Sequence, residues 1–203
     1  MAIMRHASRR ARAAAAVIAV ALAGCGGSDD ERSGPPAAAT AGLEARIDAA
    51  QKQAEAAPTD PEPLAELAKA HFQAAGLKTT ATGGYTDAGK AELRDATQAW
   101  DRYLALDPEP LDTGVAQLIS AAYGPGSLDQ PKKAVEVQML LTKNIRPPRA
   151  SQYARLAQMA YYAGDTRTAD LAADRAIELS PERARKAMRR LLSSARQLAP
   201  AQP

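Results

Sequence analysis

The chain has very little to do chemistry with. Its 203 residues include one cysteine, one tryptophan, one phenylalanine and two histidines, and aromatics amount to 4%. A lone cysteine excludes an intrachain disulfide and any multi-cysteine metal site. His6 lies in the first two dozen residues, so a single histidine, His71, remains in the body of the chain. One histidine without partners gives no Ser-His-Asp constellation and no histidine-based metal set. Gly83-Gly84 and Gly124-Pro125-Gly126 lack the Lys-Ser/Thr of a phosphate loop. Asp29, Asp30 and Glu31 lack the spacing of a calcium loop. No catalytic residue, metal ligand or cofactor is therefore assigned, and no enzyme is expected.

Alanine fills the space that aromatics leave. Apolar residues reach 46%, and alanine has the best helix propensity with little β preference. The expected class is all-α with a thin core.

The net charge of +3 comes from the first 24 residues. Arg5, Arg9, Arg10 and Arg12 precede an apolar run from Ala13 to Ala23 that is short for a membrane span. Without this segment the chain carries 22 basic and 23 acidic residues. The basic balance is thus no nucleic-acid footprint. The run ends in Leu22-Ala23-Gly24-Cys25. That tetrapeptide resembles the lipobox of bacterial lipoproteins. The resemblance implies a signal peptide over 1–24, cleavage before Cys25, and acylation (palmitate or a similar chain) of that cysteine. Cys25 would then be the only membrane anchor, and the chain would lie on the extracytoplasmic face of the cell envelope. Residues 25–42, rich in Gly, Ser, Pro and Ala without apolar period, read as a flexible tether.

From there on the chain reads as helix pairs. Leu43, Ile47, Ala50 and Ala54 put one helix over 43–58. Thr59 and Glu62 have capping-box form before a helix carrying Leu64, Leu67, Ala68 and His71. A second helix follows near 91–106 with Ala96, Trp100, Tyr103 and Leu104. His71 and Trp100 at helical spacing read as core residues. Val115, Leu118, Ile119 and Ala122 make the next helix, broken at Gly124-Pro125-Gly126, where Ser127 and Gln130 offer another capping box. Ala134, Val137 and Leu141 mark its partner. The clearest pair is Tyr153, Leu156, Ala157 and Ala160, then Gly164-Asp165, then Ala169, Ala173, Ala176 and Ile177. Small residues on facing stripes let two helices approach closely.

This last spacing resembles a tetratricopeptide repeat, a helix-turn-helix unit of about 34 residues. With Pro181 at the repeat's end, Tyr153, Leu156, Ala157, Gly164, Ala169 and Ala176 fall on signature positions. Ala160 and Ala173 stand where larger residues are usual. The resemblance implies a short right-handed α-solenoid over 59–199, with about three repeats. The helix over 43–58 becomes a leading cap. A trailing cap helix would turn Ala184, Ala187, Met188, Leu191, Leu192, Ala195 and Leu198 inward and its six cations outward. The first repeat exceeds the family length by about sixteen residues. The excess, around Thr79–Tyr85, belongs in a surface loop or a helix extension.

In that family the first helix of each repeat lines a concave groove for extended peptides or partner helices. By register the groove positions are Lys69 and Phe72, Ser120 and Tyr123, and Gln158 and Tyr161. Phe72, Tyr123 and Tyr161 recur at one step and form either a ladder for a ligand or a packing feature. The implied function is a protein-binding scaffold or assembly factor anchored in the envelope by lipid. The alternative is an accessory subunit binding a small ligand or glycan. A closed apolar pocket favours the alternative; an open trough favours the scaffold.

Overall fold

The computed structural model describes residues 37–199. The leader, Cys25 and the tether as far as residue 36 lie outside them. The described residues form eight α-helices: α1 (Ala37–Ala56), α2 (Glu62–Gly76), α3 (Asp87–Ala105), α4 (Thr113–Ala122), α5 (Pro131–Asn144), α6 (Ala150–Tyr162), α7 (Thr166–Leu179) and α8 (Glu182–Gln197). The class is all-α, with a single antiparallel bridge, Thr79 to Tyr85, as the β contact among these residues. Helix α1 starts at Ala37, so residues 37–42, expected in the tether, are helical.

Local chemistry sets the ends of the helices. Asp112 and Asp165 are N-caps, their carboxylates accepting from the backbone N–H of Gly114 and Val115 and of Thr168. Such a cap stabilises a helix by about 1 kcal/mol. Thr86 caps α3 through Gly89, which starts this helix four residues earlier than the sequence suggested. Two expected caps do not form. Asp60, not Thr59, bonds the N–H of Glu62. Pro131 opens α5 directly after Gln130, with no side-chain cap from Ser127. Gly164 turns the chain between α6 and α7 with φ +76°, a left-handed conformation that costs glycine nothing.

The insertion after α2 divides in two. Part of it extends α3 and the rest is a short exposed loop folded against that helix. A side chain at Gly89 would meet the Lys78 carbonyl oxygen at 2.5 Å, so only glycine permits this approach. Glu92 on α3 bonds both His71 Nδ1, at 2.7 Å, and the Lys78 ammonium. Burial works to raise the Glu92 carboxyl, but the bonds and charges of Lys78 and His71 outweigh it and hold the group below its usual range.

Helices pack mainly on their neighbours in sequence, α2 with α3, α4 with α5 and α6 with α7. The side chains collect into two main cores. The first lies among α1–α5 around Trp100, which is 1% exposed and stacked on Tyr103 with ring centroids 5.1 Å apart. The second lies among α6–α8 with Val135 of α5, and is built mostly of alanine with Leu156, Tyr161 and Leu192. Leu156 and Ala157 are buried as the spacing indicated.

Helix α5 joins the two cores, packing on α4 and on α6 and giving Val135 to the second. No α-carbon of α4 lies within 8 Å of one in α6. Polar side chains bridge the junction instead. Gln138, fully buried, donates to Gln152 Oε1 at 3.2 Å and to Thr142 Oγ1 at 3.3 Å, and accepts from Ser120 Oγ at 3.4 Å.

The last helix departs from expectation. Of the seven residues expected to turn inward, only Leu192 is fully buried. Ala187 is exposed, Leu191 is 48% exposed and Leu198 is 82% exposed. No further helix covers that edge among the described residues, so part of the apolar arc faces water.

Candidate partner-binding trough

The six residues assigned by register to a groove scatter to different environments. Ser120 is fully buried at the junction, with Oγ bonded to Gln138 and 3.5 Å from the Met159 sulfur. Tyr123 is 3% exposed, belongs to the first core, and has the Lys133 ammonium 5.3 Å from its ring centroid. Burial pushes its hydroxyl pKa up.

Tyr161 is also 3% exposed, and its hydroxyl donates to Asp170 Oδ1 on α7 at 2.6 Å. Burial and the Asp170 bond push its pKa up to about 12. Phe72 is half-buried against the first core and the small cluster of Ala75, Leu93 and Ala122. Lys69 pairs with Glu66 on its own helix at 3.0 Å, and Glu66 also meets Arg46. Of the two readings of these aromatic steps, packing fits Tyr123 and Tyr161, which are buried, while Phe72 is half-buried. Tyr123 and Tyr161 pack between neighbouring helices, and Tyr161 also lines a depression with Asp170, Asp174 and Arg189.

Two of the six line depressions: Tyr161 beside Asp170 and Asp174, and Gln158 along α6. Two adjoining depressions meet at Gln158 and Met159. One, about 210 Å³, is closed by Pro125, Pro131, Ala134 and Tyr162. The other, about 430 Å³, is closed by Ser151, Ala154, Arg155, Met188 and Leu191. Both depressions, here the trough, open along α6, one towards the α4–α5 turn and the other towards α8, with Gln158 and Met159 in the wall of each.

The helical period explains this face. Leu156, Ala157, Ala160 and Tyr161 turn into the core, so Arg155, Gln158, Met159 and Tyr162, at steps of three, one and three, turn to the other side. Met188 and Leu191 sit one turn apart on α8 and complete the wall. The complementary stripe on α6 was readable from the same period that located the core; Met159 and Tyr162 were missed because register was carried over from a family instead.

The trough is apolar at its floor and polar at its rim. Tyr162, 41% exposed, has its hydroxyl on Asp129 Oδ1 at 3.2 Å, which fixes the ring at the edge and raises its pKa. Arg155 and Gln158 provide donors. Apolar side chains of a bound segment can rest on Met159, Met188 and Leu191 while its backbone meets the rim. Methionines suit such a floor because the flexible thioether adapts to different shapes.

Among the described residues, His71, Glu92 and Asp95 bring metal-type donor atoms within 4.8 Å of one another. Glu92 there already holds Lys78 and His71, which makes the group a latch between the insertion loop and α2. No described helix is long and apolar enough to cross a membrane. No family model, curated protein or solved structure matches the chain.

Proposed function

We propose that this chain is an acylated lipoprotein of the bacterial envelope whose helical domain binds a polypeptide partner in the trough along α6, as a scaffold or assembly factor. The observation that carries the reading is the open, Met-floored trough shared by α6 and α8. A small ligand favours a concave site that buries most of its surface, whereas an open channel suits an extended segment or a helix edge.

The domain is read as a short tetratricopeptide-like solenoid. Packing between helices near in sequence supports this, as do the turn at Gly164 and the alanine seam between α6 and α7. The gap between α4 and α6 departs from an even stack, and the trough begins there.

Anchorage is read from Leu22-Ala23-Gly24-Cys25, with the lipid holding the domain on the extracytoplasmic side. Stable attachment by lipid needs two acyl chains, or one chain with a second membrane contact.

A photo-crosslinking residue at Gln158, in cells, should give a discrete protein adduct. The same residue at Met139, exposed on α5 away from the trough, should not. Tyr162→Asp, at an exposed side chain in the wall of the same opening, should abolish the Gln158 adduct while helicity stays unchanged. Equal capture from both positions would remove the trough from consideration. Separately, Cys25→Ser should leave the precursor uncleaved or release soluble protein; normal processing and membrane retention would refute the lipid anchor.

A further inference from the structure

Helix α8 carries six cations and one acid, Glu182. The structure divides those cations into two sets. On the side facing α7, Arg185 donates to the Ser180 carbonyl, Arg196 pairs with Asp170 at 3.5 Å, and Arg189 lines a depression beside Asp170 and Asp174. On the other side stand Arg183, Lys186 and Arg190, at steps of three and four, all exposed and with no ion-pair partner among the described residues. At 3.6 residues per turn, the exposed Leu191 and Leu198 lie next to this second set. Single exposed leucines are ordinary. Two of them two turns apart, with the unpaired cations along one side, form an apolar strip with a basic border on that side; Leu191 also walls the depression along α6.

We infer that this edge of α8 is an interfacial contact for an anionic phospholipid bilayer. Two leucines enter the headgroup boundary, and Arg183, Lys186 and Arg190 meet lipid phosphates while their methylene stems follow the apolar layer. Charge complementarity supplies one argument, since this edge presents three cations against a single acid, Glu182, four residues before Lys186. Reach supplies another. Cys25 and the start of α1 are a dozen residues apart, about 40 Å at full extension. A lipid on Cys25 would therefore hold the domain within a few nanometres of the surface, where weak contacts count. This second argument rests on the lipid-anchor reading; the charge and leucine pattern does not.

The test uses the unlipidated mature chain, residues 26–203. It contains both cores and all eight described helices, and its far-ultraviolet circular dichroism verifies the fold. Leu198→Cys then supplies its only thiol, which is labelled with a polarity-sensitive dye. The chain is mixed with phosphatidylcholine vesicles and with phosphatidylcholine–phosphatidylglycerol vesicles. Partitioning is expected to be at least about tenfold stronger to the anionic vesicles, with the dye emission shifted to the blue. Changing Arg183, Lys186 and Arg190 together to Gln should weaken partitioning by about a hundredfold, roughly fivefold per charge.

Equal partitioning to both vesicle types overturns the inference, as does an unchanged affinity in the triple variant. A dye that stays in water while the chain is bound shows that another surface makes the contact. Binding to a polyglutamate peptide with both vesicle types left free assigns the edge to an acidic polypeptide instead. Because no lipid is attached in this assay, a failed anchor shows only in the Cys25→Ser fractionation and leaves the vesicle result standing.

Discussion

Tyr161→Phe removes one oxygen from the seam between α6 and α7 and leaves the ring in place. At neutral pH the lost bond is the one from the hydroxyl to Asp170, at 2.6 Å. Bonds to charged groups contribute about 1.5–3 kcal/mol when shielded. The Asp170 side chain is 45% exposed and keeps Arg196 at 3.5 Å, so water replaces the donor in part and the cost falls to about 1 kcal/mol. Alkaline pH reverses the sign. The hydroxyl pKa is raised by burial and by Asp170 to about 12, against about 10 in the unfolded chain. A raised folded pKa gives stability that is complete below pH 10 and drains away as pH rises towards 12, by up to about 3 kcal/mol. Phenylalanine has no proton to lose. The variant should therefore be the less stable protein at pH 7, about equal near pH 11, and the more stable above it. Urea denaturation followed by circular dichroism, on both proteins at pH 7, 10 and 11, reads this directly. The shifts at Tyr103 and Tyr123 are common to both proteins and cancel in the difference. A gap that stays constant from pH 7 to pH 11 would show that the hydroxyl is not held as the structure has it.

Leu156→Ala should cost about 2–5 kcal/mol in urea denaturation, as for a buried leucine, and Ala157→Arg should yield no folded protein because the residue is fully buried at the α6–α7 crossing. Leu198→Ser should change stability by no more than about 0.5 kcal/mol, since that side chain is 82% exposed; a large loss would restore the inward reading of α8. Glu92→Gln should loosen the loop after α2, detected as faster proteolysis within residues 77–86. The Glu92 carboxyl is held below its usual pKa, so its contribution is present above the unfolded value and lost as pH falls through the folded one. The stability gap between wild type and Glu92→Gln should therefore close in acid.

The helices were legible because their signal is local. Val115 and Ile119, or Leu156 and Ala157, need only the period of one helix to be placed inside, and all four are buried. The ends were less legible. Thr59 and Glu62 have the right spacing for a capping box, yet Asp60 is nearer and bonds the same N–H that the box would have organised. The site was least legible of all. Tyr123 and Tyr161 stand where a register places groove residues, but what decides their fate is how tightly the adjacent helix closes over them. Alanine at 169, 172, 173 and 176 brings α7 close enough to bury Tyr161. That distance is a tertiary quantity no stripe on α6 contains. Helix α8 fails in the opposite direction, since a period shows that an apolar face exists and not that a partner covers it.

The trough lies where α5 and Met159 join the two cores and α4 does not reach α6. Within each hairpin, small residues let helices close and exclude water. Between α4 and α6 there is no such match, and Ser120, Gln138, Thr142 and Gln152 fill the space with hydrogen bonds. A buried amide needs its partners at set distances, so a polar junction holds one geometry where an apolar one could slide. Met159 sits at this junction. It packs against both cores, touches Ser120 and lines both depressions. An adaptable thioether thus lies where α4, α5 and α6 come together, half-buried against both cores and partly open to the depressions along α6.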